Sequence, residues 1–191
     1  MKKIKFNDCI CHTKLKGHSE IKDLILSEID NTDDEVLKTV SSYYSDNISK
    51  LDWSKAENFE RSWTKILLPN FFETMDEVIG SMAYKGIRLV SMWYQQYSVG
   101  GTHGWHIHGQ HFTGVYYLEH PEGCSKTEIC SPFDLKSQTV DIVEGDCIVF
   151  PAHWIHRGQP NTGNRKTIVS FNFDLICDPI DGENMLDLNM L

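Results

Sequence analysis

Residues 147–173 read "CIVFPAHWIHRGQPNTGNRKTIVSFNF". Two runs of β-branched and aromatic residues, "CIVFPA" and "RKTIVSFNF", flank a stretch dense in Gly, Pro, Asn and Gln. The outer runs suit a pleated, half-buried strand, and the middle supplies turn formers. The same texture extends upstream through "IRLVSMWYQQYSV" from Ile87, "HFTGVYYLEH" from His111, "SKTEICS" from Ser125 and "QTVDIVEGD" from Gln138. Short strands at regular spacing predict a β-sandwich or barrel rather than βαβ units.

Ahead of Ile87 the pattern is helical. "SEIKDLILSEID" sets Ile21, Leu24, Ile25 and Ile29 on one face. "TDDEVLKTVSSYY" opens with Thr32 and Glu35 at capping-box spacing and continues with Val36, Val40 and Tyr43 or Tyr44. "PNFFETMDEVIGSMAYKG" repeats the period through Phe72, Met75, Ile79 and Met82, with Pro69 near its start and Gly86 after its end. The predicted architecture is mainly β with flanking α in a single domain. A mostly helical layer (1–86) packs on a jelly-roll core (87–175), followed by an acidic tail (176–191).

With 191 residues, 40% hydrophobic and 24% charged, the chain has the size and composition of one globular domain. Its net charge of −9, with no Lys/Arg-rich block, argues against a nucleic-acid or anionic-membrane surface. No apolar run reaches the roughly 20 residues needed to span a bilayer, and the basic N-terminus lacks an apolar h-region behind it. Six cysteines without a C-x-x-C pair fit reduced thiols. A cytoplasmic setting is expected, and the tail leaves room for a role in oligomerisation.

The chemistry concentrates in two histidine clusters. "WHIHGQH" (105–111) holds His106 and His108 at i and i+2, the spacing that aims two side chains to one face of a strand. Neutral imidazole ligates iron, zinc, copper and nickel. His156, 48 residues beyond His108, follows the strand ending at Pro151 and is expected in a loop as the third ligand. His12, His18, His103, His111, His120 and His153 are read as ordinary surface or core histidines.

Arg165, nine residues after His156, shares a strand face with Thr167 and Val169. A buried arginine needs an anionic partner, and no acidic residue stands at i+2 on this strand. A bound carboxylate would meet the guanidinium in bidentate fashion, with the Thr167 hydroxyl adding a hydrogen bond. An exposed arginine at a strand start is the other reading.

Taken together, "YSVGGTHGWHIH", "FTGVYYL", "EGDCIVFP" and H-x8-R-x-T ending in "SFNF" resemble the Fe(II)- and 2-oxoglutarate-dependent oxygenases. The likeness is to the prolyl-hydroxylase-like branch of the kind found in phage and marine bacteria. It covers roughly Ile87 to Leu175 and implies a double-stranded β-helix, the cupin-like jelly roll. By this resemblance His106, His108 and His156 would hold Fe(II). Arg165 and Thr167 would take the distal carboxylate of 2-oxoglutarate, and Tyr117 and Tyr97 would line that pocket. The implied activity is hydroxylation of a protein or peptide residue or a small metabolite, consuming O2 and releasing succinate and CO2. No catalytic residue beyond the metal ligands is required, and Trp105, Trp154 and His153 would flank the mouth.

One departure stands out. The family pattern is H-x-D/E…H, and here the middle position is His108, with no Asp or Glu from His103 through Leu118. A neutral ligand leaves the site one unit more positive. Two other readings therefore stay open: a cupin-like three-histidine dioxygenase that uses no 2-oxoglutarate, and a non-catalytic metal-binding module.

Overall fold

A computed structural model describes residues 10–40, 45–82, 85–133 and 135–176. Two antiparallel sheets face one another. The larger is ordered β1 (Cys11–Lys14), β9 (Asp146–Pro151), β6 (Phe112–Glu119), β11 (Lys166–Ile176), β4 (Gly86–Tyr97), β3 (Ser45–Leu51) and β2 (Glu35–Val40). The smaller is ordered β5 (His103–His106), β10 (Ile155–Gly158), β7 (Thr127–Cys130) and β8 (Ser137–Thr139). This is the expected mainly β jelly-roll core, with helices α1 (His18–Asp30) and α2 (Ser62–Ser81) on the outer face of the large sheet.

The central strands are buried on both faces, which explains why their sequences read as nearly continuous apolar runs. On β11, Val169, Phe171 and Phe173 join the layer beneath the helices, while Ile168 points between the sheets. β4 divides in the same way, with Met92 and Tyr94 outward and Tyr97 inward. Gly114 on β6 permits one close approach. A Cβ there would lie 2.3 Å from Cζ of Phe171, whose ring in turn meets Phe71 of α2 at 4.8 Å.

Two expectations about the N-terminal third are corrected. The segment predicted as a second helix is strand from Glu35 to Val40, paired with β3; Tyr43 and Tyr44 lie outside the described residues. "EVLKTV" also alternates with period two, and Leu37 packs into the layer between the sheets, so tertiary burial overrides the capping signal. Helix α2 begins at Ser62, which places Pro69 in its interior instead of near its start. Pro69 offers no N–H to the Lys65 carbonyl. The buried face of Trp63, Leu67, Phe71, Met75, Val78 and Ile79 offsets that loss, at about 1.5–3 kcal/mol per large side chain. Strands β1 to β3 thus extend the sheet where a mostly helical layer was expected.

Candidate metal centre

His106 closes β5, and His156 sits on β10 directly across the ladder as its Cα partner, on a strand and not in a loop. His108 lies two residues past His106, where its N–H donates to the Ala152 carbonyl at 2.9 Å. This backbone bond ties the turn after β5 to the turn after β9. The three histidines converge so that one ligand atom from each lies within 4.8 Å of the others. Ring centroids are 4.2 Å apart for His106 and His156, and 5.1 Å for each of the other two pairs.

Hydrogen bonds outside the cluster set the tautomers. His106 donates Nδ1–H to the Gly104 carbonyl at 2.7 Å, and His156 donates Nδ1–H to the Trp154 carbonyl at 2.9 Å. A carbonyl only accepts, so each ring keeps a bare Nε2 for an ion. The Asn172 side-chain amide lies 3.4 Å from Nδ1 of His108. Turned with its oxygen toward the ring, the amide accepts from Nδ1–H and completes the same pattern. Burial pushes His108 down to about 4 and holds His106 and His156 below the ordinary histidine range, with the neighbouring imidazoles adding to the effect at His108 and His156. The rings are therefore neutral at physiological pH, the form that binds metal. The donor set fits a first-row divalent ion.

His103, read from sequence as ordinary, belongs to this neighbourhood. Its ring stacks on His106 at 3.9 Å, and burial lowers its pKa to about 3. The other histidines serve elsewhere: His12 bonds Asp146, His18 bonds the Tyr116 hydroxyl, and His111 accepts from Leu175 N–H.

The structure does not bring Arg165 and Thr167 to the triad. The Arg165 guanidinium is bidentate to Glu119 at 2.9 and 3.0 Å and also reaches both oxygens of Asp30 at 3.0 Å. Thr167 donates to the same Glu119 at 2.9 Å. The predicted carboxylate clamp exists, but its carboxylate is the protein's own. It comes from the neighbouring strand β6, where Glu119 is the register partner of Thr167.

The inward position belongs to Lys166, ten residues after His156. Lys166 is 2% exposed, its ammonium donates to the Ser125 carbonyl at 2.6 Å, and it lies 4.9 Å over the Tyr97 ring. Burial lowers its pKa to about 8, and among the described residues no carboxylate pairs with it. Strand parity sets it on the face opposite Arg165 and Thr167 but does not tell which face is inward. Lys166, Ser170 and Asn172 share one face of β11 with Ile168, and Thr167 stands on the other. Tyr97 and Tyr117 are buried between the sheets, where Tyr97 donates to Gln95 at 3.1 Å and Tyr117 to Thr127 at 2.8 Å.

Space around the triad is divided. A crevice of about 20 Å³, room for about one water, adjoins the three histidines, Tyr97, Thr127 and Ser170. An outer cavity of about 290 Å³ reaches His103, His106 and His108 between Trp53, Trp93 and Trp105. Trp93, Gln95, His103, His106 and His108 line both spaces and form the partition, while His156 lines the crevice alone. A broader groove of about 710 Å³ runs along Trp53 and Asn58 to His108 and Asn172. Of the residues expected at the mouth, Trp105 lines the cavity, Trp154 is buried in the core, and His153 is exposed and lines neither space.

No protein-family model and no curated protein matches the sequence. Solved structures do match in fold. A 2OG-Fe(II) oxygenase family oxidoreductase from Burkholderia pseudomallei superposes with a TM-score of 0.68 at 10% identity, covering 86% of this chain and 84% of its own. A prolyl hydroxylase from Trichoplax adhaerens, solved with a peptide fragment of the hypoxia inducible factor oxygen degradation domain, gives 0.62 at 17% identity over 86% and 83%. The non-heme alpha-ketoglutarate-dependent epimerase SnoN of nogalamycin biosynthesis gives 0.62 at 15% identity over 87% and 77%. The chain has the 2OG-Fe(II) oxygenase fold. Since that fold serves an epimerase as well as hydroxylases, it does not by itself select a reaction.

Proposed function

We propose that the protein is an iron(II)- and 2-oxoglutarate-dependent dioxygenase that hydroxylates a peptide residue or a small metabolite. His106, His108 and His156 would hold the iron through Nε2. The metal and its cosubstrate supply the oxidising chemistry, while the chain binds, orients and excludes water.

The observation that carries this reading is Lys166. An ammonium buried without an anion is costly, and the cost is recovered when a carboxylate binds. A dicarboxylate that reaches the triad with one end and Lys166 with the other answers that need, with the Tyr117 and Thr127 hydroxyls nearby as further donors. The crevice has room for about one water, so side chains that line it would have to shift to admit the cosubstrate. Lys166 therefore takes the role that sequence reading gave to Arg165.

The three-imidazole donor set favours a second reading, the cupin-like dioxygenase without 2-oxoglutarate, in which Lys166 has no ligand to meet. Anaerobic titration of the iron(II)-loaded protein with 2-oxoglutarate separates the two. A saturating visible charge-transfer band is expected; bound iron with no band would favour the cupin-like reading.

A further inference from the structure

The outer cavity reaches the metal site between apolar walls of Leu37, Ile48, Leu51, Trp53, Trp93 and Trp105, with Gln95 and His103 beside the ligand histidines at its inner end. Among its lining residues one side chain is a carboxylate, Asp46 of β3. Asp46 is only 8% exposed. Its Oδ1 accepts from the Gly104 N–H at 3.0 Å, and its Oδ2 accepts from the Thr39 hydroxyl at 3.3 Å. Among the described residues no lysine or arginine pairs with it; the nearest basic nitrogen is His103 Nε2 at 3.8 Å. Two neutral donors leave a buried carboxylate short of compensation. The aromatic walls suit the other half of the same need, because indole faces attract a cation and its alkyl stem packs on them. The outer half of the site thus mirrors the inner half. Among the described residues Lys166 is a buried cation that no carboxylate pairs with, and Asp46 is a buried carboxylate that no lysine or arginine pairs with.

We propose that the primary substrate enters this cavity as a basic side chain of lysine or arginine type. Its stem lies between the tryptophans and its charge meets Asp46. The broader groove along Trp53 and Asn58, which also ends at His108, gives the chain flanking that side chain a place to lie. Calling the occupant a substrate rests on the oxygenase reading; the cation site itself does not.

The test uses tryptophan fluorescence of the iron(II)- and 2-oxoglutarate-loaded protein under anaerobic conditions. The probes are Nα-acetyl-lysine methylamide, its arginine counterpart and the uncharged norleucine counterpart. At least one basic probe is expected to bind tenfold or more tightly than norleucine, and Asp46→Asn to reduce it to the norleucine level. Equal binding of all three to the wild-type protein overturns the proposal without any variant, and so does a preference that survives Asp46→Asn. The charge-transfer band keeps the two readings apart. Basic preference without the band refutes the oxygenase reading alone, and the band without basic preference refutes this proposal alone.

Discussion

Arg165 and Lys166 are neighbours in sequence whose side chains leave the chain on opposite faces of the large sheet. Arg165 is engaged by Glu119 and Asp30 with 43% of its side chain exposed, whereas Lys166 is sealed at 2% over Tyr97. On the proposed reading, this one-residue difference decides which cation meets the cosubstrate.

Lys166→Met is expected to weaken 2-oxoglutarate binding by about 2–5 kcal/mol, roughly 30- to 4,000-fold, with iron still bound. Arg165→Met should leave that affinity within about twofold and cost about 1 kcal/mol of stability, since its ion pairs are half exposed. Paired titrations of the charge-transfer band and thermal melts check both. An Arg165 variant that loses the cosubstrate would reverse the assignment.

The Lys166 charge also predicts a pH dependence. In the folded protein its pKa is about 8, against 10.5 when unperturbed, so the unfolded chain binds more protons between those values. The destabilisation from burying the ammonium is fully present below about pH 8 and fades as pH rises toward 10.5. Lys166→Met should therefore be more stable than wild type at pH 7, by at most about 3 kcal/mol, with the gap closing at alkaline pH. 2-Oxoglutarate affinity should fall as pH rises above about 8, because the bare amine no longer attracts a carboxylate. Denaturant melts and binding isotherms at several pH values read these two effects.

The buried imidazoles act at the acid end. His103 near 3 and His108 near 4 bind fewer protons folded than unfolded from about pH 6.5 downward. Stability of the metal-free protein is thus full above pH 6.5 and falls as the pH drops toward 4, by up to about 1.4 kcal/mol per pH unit for each such histidine. His103→Phe should flatten that slope. At pH 7 metal loading should release almost no protons from the ligands, which calorimetry in buffers of different ionisation enthalpy measures.

His106→Ala or His156→Ala should abolish metal binding. Asn172→Ala should weaken it about 10- to 100-fold by freeing the His108 ring, an effect that equilibrium dialysis resolves. With three neutral nitrogens, copper and zinc are expected to outcompete iron in the wild-type site, and His108→Asp should narrow that preference.

The alternation of apolar runs from Ile87 onward gave the jelly roll directly, since strands buried on both faces leave an unmistakable composition. The triad was readable as well, because H-x-H is a local pattern and His156 follows a strand rich in Val, Ile and Phe. The clamp was misassigned for a physical reason. Alternation groups Arg165 with Thr167 but does not say which group faces inward, and Glu119, which satisfies them, lies 46 residues away on β6. Asp46 was invisible for the same reason. Its position beside the triad depends on the β3 strand, in a region whose spacing also reads as helix, and on a backbone contact to Gly104 that no motif records.

The His108 N–H bond to Ala152 has a mechanical consequence. His106 and His156 belong to the small sheet, while His108 is tied to the turn after β9 and lies against Asn172 of β11, both in the large sheet. An ion held by all three would act as a crosslink between the two sheets. Without it the sheets are tied there only by hydrogen bonds such as Gly104 to Asp46 and His108 to Ala152, and local opening costs less. Amide hydrogen exchange along β5, β10 and the end of β9 should therefore slow together when metal is added, so that occupancy of the site can be followed in the backbone before any turnover is measured.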